Sequence, residues 1–350
     1  MKKYIVMVFS TLVFCFALSG VIILNLQRLD KLKLENNNSN SEKTNPPVEI
    51  NLPLKGVSIS PKSFSLDDYQ IFYEKASEGG DALTWAGNWD ELEDRNSAAY
   101  SSFDLALENN LTPITLVGQF EHASKSLYRP ATQETFDYYE KITTGFLEEK
   151  KPPYFGIGVE INSLYNSNPQ DYDKSIKFYK YLYTKIKEIS PATKVFTVFQ
   201  LERMKGLNGG LFGGKNDASQ NQWHLISEIE EYSDLIGFTT YPCLIYQNPS
   251  EIPSDYYSEI LEHTSKPIAF FEIGWFRESR IPGWESDKEE QGDFINKFYT
   301  LNKLVKPEIV IWPFLYDQLE APVPFKNMGL IGEDEKSFEL WQNLNFKYSE

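Results

Sequence analysis

Residues 54–350 of this 350-residue chain predict a single (β/α)8 barrel domain. Eight short apolar runs recur between residues 54 and 317. They are rich in Val, Ile, Phe and Thr, and continuous rather than alternating, as strands buried on both faces must be. Amphipathic stretches of helical period separate them. Strand starts fall roughly 27 to 42 residues apart, which is the length of a strand–loop–helix unit.

In chain order the runs are LKGVSIS (54–60), DALTWAG (81–87), TPITLVGQF (112–120), YFGIGVEI (154–161), KVFTVFQL (194–201), DLIGFTTYP (234–242), PIAFFEIGW (267–275) and EIVIWPFLYD (308–317). DYDKSIKFYKYLYTKIKEIS (171–190) and DKEEQGDFINKFYTLNKLV (287–305) are the clearest helices between them. A doubly wound open sheet is the alternative for such alternation. It would usually carry a Gly-rich phosphate turn after its first strand. PKSFSLDDY follows Ser60 instead and reads as a helix entry. GGLFGG (209–214) follows no strand directly and reads as a loop.

Ahead of the barrel, Lys2 and Lys3 precede an uncharged run from Tyr4 to Leu24. Its 21 residues are long enough to cross a bilayer as a helix. The basic pair should stay in the cytoplasm and place the rest outside. Residues 1–24 are therefore expected to be a signal anchor, or a signal peptide cut near Gly20, with the domain extracytoplasmic in either case. Cys15 follows Phe14 where a lipoprotein box needs a small residue, so lipidation is not expected. Residues 25–53, centred on NNNSNSEKTNPP, read as a disordered tether.

Net charge is −16. Residues 1–52 carry six Lys or Arg against four Asp or Glu, a balance of +2, so the remainder is −18. Such a domain repels nucleic acid and anionic polymers and suits a neutral ligand. Two cysteines, one of them in the apolar leader, allow no disulfide within the domain and no thiolate metal cage. No GxSxG, HExxH or P-loop pattern occurs. Neither a metal nor an organic cofactor is expected, and the protein is expected to be a monomer. The 24 Phe, 21 Tyr and 7 Trp fill cores by default, but aromatic faces also stack on sugar rings.

In a barrel, reactive side chains gather at the C-terminal ends of the strands. The groups expected there are Trp85, Asn88 and Trp89 after strand 2, and Gln119, Glu121 and His122 after strand 3. Glu160 and Asn162 end strand 4, Gln200 and Glu202 strand 5, and Tyr241 strand 6. Glu272 and Trp275 end strand 7, and Trp312, Tyr316 and Asp317 end strand 8. Glu160 and Glu272 matter most. Each closes a buried run, where a carboxylate is poorly solvated and easily retuned. Two such groups in one pocket can serve as acid and nucleophile in glycosidic cleavage.

These segments resemble the glycoside hydrolases of clan A, retaining (β/α)8 enzymes with catalytic glutamates on strands 4 and 7. The resemblance covers roughly residues 54–320, and within the clan it leans toward endo-acting families such as the family 53 galactanases. FFEIGW is similar to the clan's strand-7 nucleophile motif and GVEIN to its strand-4 acid/base motif. The resemblance thus implies Glu272 as nucleophile and Glu160 as acid/base. FTTYP resembles the strand-6 segment whose Tyr, here Tyr241, hydrogen-bonds the nucleophile. Trp312 matches the strand-8 Trp that floors the sugar subsite next to the cleaved bond. Trp275 and Trp85 are expected to join it against the substrate.

One position departs from the clan pattern. The Asn that usually precedes the acid/base and contacts the sugar 2-hydroxyl is Val159 here. Asn162 or Gln119 would have to substitute. The expectation is a retaining hydrolase acting on an extracellular poly- or oligosaccharide. The alternative is a non-catalytic carbohydrate-binding barrel tethered at the cell surface, with both glutamates kept as sugar hydrogen-bonders.

Overall fold

The computed structural model describes residues 53–121, 126–321, 323 and 325–348. The apolar leader, all but the last residue of the predicted tether, and His122 lie outside the described residues. Eight strands, the fifth in two halves, form the main sheet in chain order. They are β1 Leu54–Ser58, β2 Ala82–Asn88, β3 Thr112–Gly118, β4 Tyr154–Ile157, β5 in two halves (Lys194–Phe196 and Val198–Gln200), β6 Ile236–Thr240, β7 Ile268–Ile273 and β8 Ile309–Trp312. The helices are α1 Leu66–Gly79, α2 Ala98–Glu108, α3 Gln133–Lys150, α4 Ile161–Ser167, α5 Pro169–Ile189, α6 Leu201–Met204, α7 His224–Ile229, α8 Lys288–Leu301 and α9 Lys336–Asn343.

Every strand pairing of the main sheet is parallel. Neighbours run β4–β3–β2–β1–β8–β7–β6. The first half of β5 pairs with β4 and the second half with β6, so the interruption at Thr197 joins the two ends into a ring. All eight apolar runs are strands, as the sequence predicts.

Two apolar layers hold the ring. Leu54, Ile114, Leu116, Phe196, Phe271 and Ile311 belong to the cluster inside it. Phe196 and Phe271 stack there, with centroids 4.5 Å apart and planes 2° from parallel. The larger cluster lies between strands and helices. α5 shows how a helix joins it. Asn168 caps the N-terminus, accepting from the Asp171 amide, and Pro169 opens the first turn. Tyr172, Ile176, Tyr179, Leu182 and Ile186 then recur at helical spacing and are buried.

The connection from β6 to β7 differs from the repeat. Residues 242–267 form only short 3-10 turns, at Pro242–Leu244, Pro249–Glu251 and Ser258–Glu262. Pro242, Pro249 and Pro253 each remove a backbone donor, so no long helix can run through. The segment is anchored by Tyr257, whose ring meets Phe270 of β7 at 5.4 Å and Phe298 of α8 at 5.0 Å.

Candidate active site

β6 organises the mouth of the barrel. Successive strand residues face opposite sides. Phe238 belongs to the helix-facing cluster, so Thr239 and Tyr241 turn toward the barrel axis and Thr240 turns away. Each inward residue meets one glutamate. Thr239 Oγ1 donates to Glu160 Oε1 at 2.7 Å, and the Tyr241 hydroxyl donates to Glu272 Oε2 at 2.6 Å.

Glu272 faces the axis because of an irregularity in β7. Ala269 and Phe271 are in the inner cluster, and Phe270 and Ile273 are in the outer one. Two steps from Phe271 to Ile273 would normally return to the same face. The register against β6 shifts between Phe270 and Glu272, which a β-bulge at Phe271 explains. The bulge turns Glu272 inward, opposite Thr239.

Glu160 arrives differently. It does not end β4, as the sequence suggested. β4 stops at Ile157, Gly158 follows at φ 81°, and Glu160 lies at φ 52° as the residue preceding α4. A non-glycine residue in the left-handed region costs about 1 kcal/mol or more, and such strain clusters at functional positions. The turn sends Val159 into the barrel interior. A polar side chain at that position would therefore be directed into apolar core.

Both carboxyls are deeply buried, Glu160 at 2 % exposure and Glu272 at 6 %. Burial first, and then the charge of Glu272, pushes Glu160 up to about 8. Thr239 and Arg203 pull it back and Glu202 adds to the rise. Burial pushes Glu272 up to about 7, against the Tyr241 hydrogen bond, which favours its anion. Glu272 therefore ionises first and Glu160 keeps its proton longer.

A third buried carboxylate stands behind them. Glu202 is fully buried, and burial raises its pKa. Its Oε1 accepts from Thr240 Oγ1 at 2.8 Å, the Tyr241 amide at 2.9 Å and the Tyr256 hydroxyl at 2.8 Å. Its Oε2 accepts from Gln200 Nε2 at 2.9 Å.

Several expected contact residues lie elsewhere. Trp312, expected to floor a sugar subsite, has no exposed surface; it meets Phe294 and Trp341 in the outer layer and donates to the Met328 carbonyl. Trp275 stacks on Phe294 at 5.4 Å and donates to Ser286. Trp85 packs with Leu83 against α2, because both occupy outward positions of β2. These three are corrected to core residues. Aromatic content alone could not separate them from sugar platforms.

Asn162 is also corrected. Its amide bridges the Gln200 carbonyl and the Gln222 side chain, and its oxygen accepts from the Gln200 amide, so it ties α4 to β5. Gln119 borders a small cavity with Trp89, Ile157, Phe178 and Tyr179 on the helix side. Trp89 is stacked on Tyr139 at 4.4 Å, Asn88 caps the turn that follows β2, and Asp317 is paired with Arg277. Glu121 lies in a two-residue strand, and Tyr316 bridges to Ile331.

Sequence reasoning missed Thr239 and Arg203. Thr239 was recoverable, since it shares a strand face with Tyr241. Arg203 carries no signal, because its place depends on how the single turn of α6 leaves β5.

Among the described residues, no group of three His, Cys, Asp or Glu is placed to hold a metal ion, and no helix is long and apolar enough to cross a membrane. Cys243 is buried, with its thiol 3.6 Å from the Gly274 carbonyl.

No family model matches the chain, and no curated protein does. Solved structures do match. One is an exo-β-1,4-mannosidase from Opitutaceae bacterium strain TAV5, with TM-score 0.60 and 13% identity over 83% of this chain. The chain spans only 58% of that mannosidase. A psychrophilic family 10 endo-β-1,4-xylanase matches with TM-score 0.57 and 12% identity over 84% of this chain and 97% of its own. A family 1 β-glucosidase from Thermotoga maritima matches with TM-score 0.55 and 12% identity over 85% and 98%. This chain has the barrel fold of those proteins. At such identities the likeness establishes the (β/α)8 fold, and the chemistry has to be argued from the site.

Proposed function

We propose that this protein is a retaining glycoside hydrolase acting on a poly- or oligosaccharide, with Glu272 as nucleophile and Glu160 as acid/base. The observation that carries the reading is the pair of buried carboxylates, held by Thr239 and Tyr241 from the same face of β6 and set apart in proton affinity. In the first step the ionised Glu272 attacks the anomeric carbon while protonated Glu160 gives its proton to the departing oxygen. In the second, Glu160 takes a proton from water, which displaces the sugar from Glu272. The Tyr241 hydrogen bond helps keep Glu272 anionic and in line. This assignment needs no metal and no organic cofactor. The resemblance of the FFEIGW, GVEIN and FTTYP segments to clan A motifs supports it, as does the barrel shared with proteins described as glycosidases.

We place the domain outside the cytoplasmic membrane, tethered or released through residues 1–24, and acting as a monomer. The experiment is a panel of 2-deoxy-2-fluoro aryl glycosides of gluco, galacto, manno and xylo configuration, followed by peptide mapping. A glycosyl adduct on Glu272 is expected. Hydrolysis of ordinary aryl glycosides with inversion of the anomeric centre would defeat the double-displacement reading.

A second reading is a non-catalytic carbohydrate-binding barrel. It is favoured by the buried Val159 and by Asn162, whose amide is already engaged, since neither is available to the 2-hydroxyl. Binding of oligosaccharide without turnover, unchanged in Glu272→Gln, would favour it.

A further inference from the structure

We infer that Glu202 is a positioning residue for the reaction at Glu272, acting through the main chain of Tyr241. The inference rests on the hydrolase reading for its kinetic consequences but not for its structural ones.

β6 runs out at Thr240. The last bond between β6 and β7 is from the Gly274 amide to the Thr240 carbonyl, at 3.3 Å. Tyr241 comes next, and the chain turns after it through Pro242–Leu244. A Tyr241 amide left without an acceptor in this buried place would carry the full desolvation penalty of an unpaired donor. Glu202 supplies the acceptor, and the same oxygen takes hydrogen bonds from Thr240 and Tyr256. One carboxylate thus clamps the end of β6 and the loop that follows to the start of α6.

The clamp aims the Tyr241 ring as well as its backbone. A Cβ on Gly274 would stand 2.9 Å from that ring, so the ring can come this close to the end of β7 only because glycine is there. Phe325 meets the ring edge-on at 5.6 Å. With the amide held by Glu202 and the ring confined in this way, the hydroxyl has one direction left, toward Glu272 Oε2.

The state of Glu202 follows from its partners. Gln200 Oε1 accepts from the Arg203 amide, which fixes the amide so that Nε2 faces Glu202. That nitrogen and the Tyr241 amide can only donate, so the ionised form of Glu202 suits the site. Arg203 and Glu160 are the charged groups facing it, and Tyr246, Tyr256, Tyr257 and Cys243 are held neutral near pH 7–8 by burial. The negative charge of Glu202 adds to the proton affinity of Glu160. It therefore supports both partners, Glu272 through Tyr241 and Glu160 through space.

The test titrates Glu160 and Glu272 in the full chain labelled with 13Cδ-glutamate, without substrate, each assigned from its Gln variant. In Glu202→Gln, the Glu272 midpoint should rise and the Glu160 midpoint fall, each by about half to one pH unit. Glu202→Asp keeps the charge but is too short to reach Tyr241, so it should raise Glu272 alone. In a Tyr241→Phe background, Glu202→Gln should no longer move Glu272. On a hydrolysed glycoside, kcat should fall about tenfold with KM within twofold, narrowing the pH profile from both sides. Unmoved midpoints in folded Glu202→Gln would overturn the inference, as would failure of both variants to fold. A wild-type chain that hydrolyses nothing yet shows these shifts would remove the hydrolase reading and leave the clamp standing.

Discussion

Glu160→Gln should make the protein more stable, by an amount set by pH. The folded chain holds the Glu160 carboxyl at about 8 against an ordinary 4.5. Below 4.5 both folded and unfolded chains carry the proton, and this group costs nothing. Between 4.5 and 8 the folded chain keeps a proton that the unfolded chain has released, so stability falls as pH rises. Above 8 the full cost is present. A displacement from 4.5 to about 8 corresponds to roughly 5 kcal/mol at about 1.4 kcal/mol for each pH unit. About 1 kcal/mol of that is already lost at pH 5. Sharing of charge with Glu272 and relaxation around the anion reduce what a variant recovers. Glutamine keeps the shape, carries no charge, and can still accept from Thr239. The gain of Glu160→Gln over wild type should therefore grow by about 2–4 kcal/mol between pH 5 and pH 8.5. Urea denaturation followed by tryptophan fluorescence at both pH values measures it. A difference between the two chains that is the same at pH 5 and pH 8.5 would refute the claim that Glu160 is held protonated by burial.

Three other expectations follow from the same geometry. The rate profile should be a narrow bell, falling below about 7 as Glu272 takes up a proton and above about 8 as Glu160 loses one; a flat profile from pH 6 to 9 would contradict both assignments. Tyr241→Phe removes a hydrogen bond to a charged group worth about 1.5–3 kcal/mol, so kcat/KM should drop roughly 10- to 100-fold and the acid limb should move to higher pH, both readable from initial rates. Trp312→Ala should cost about 3–5 kcal/mol in urea denaturation and leave KM within twofold, whereas a subsite floor would raise KM without such a loss.

The barrel was legible because its strands are buried on both sides. Continuous apolar runs such as KVFTVFQL and PIAFFEIGW cannot be surface strands, and eight of them alternating with amphipathic helices leave few topologies. The missing helix between β6 and β7 could have been read from Pro242, Pro249 and Pro253. The two glutamates were legible through their setting, but the turns that aim them were not. The bulge at Phe271 follows from how β7 packs on β6, and the left-handed turn at Glu160 from how α4 meets β5. The tryptophans misled for a physical reason. Trp85 lies in the middle of β2, Trp275 just past β7 and Trp312 at the end of β8, and at each place the chain has an inner and an outer face, with one residue deciding which.

The same parity explains why a third carboxylate belongs in the site. Thr239 and Tyr241 point inward from β6, so the residue between them must point outward, toward α6. Thr240 donates there to Glu202, which also takes the Tyr241 amide. Three consecutive residues of FTTYP thus bond three carboxylates, Glu160, Glu202 and Glu272, on alternating sides of one strand. Displacing any one of those residues along the strand would exchange inner for outer positions and break all three contacts together. An arrangement so sensitive to register depends on the strand not slipping. It requires β6 to be held at its end, and Glu202 holds it there.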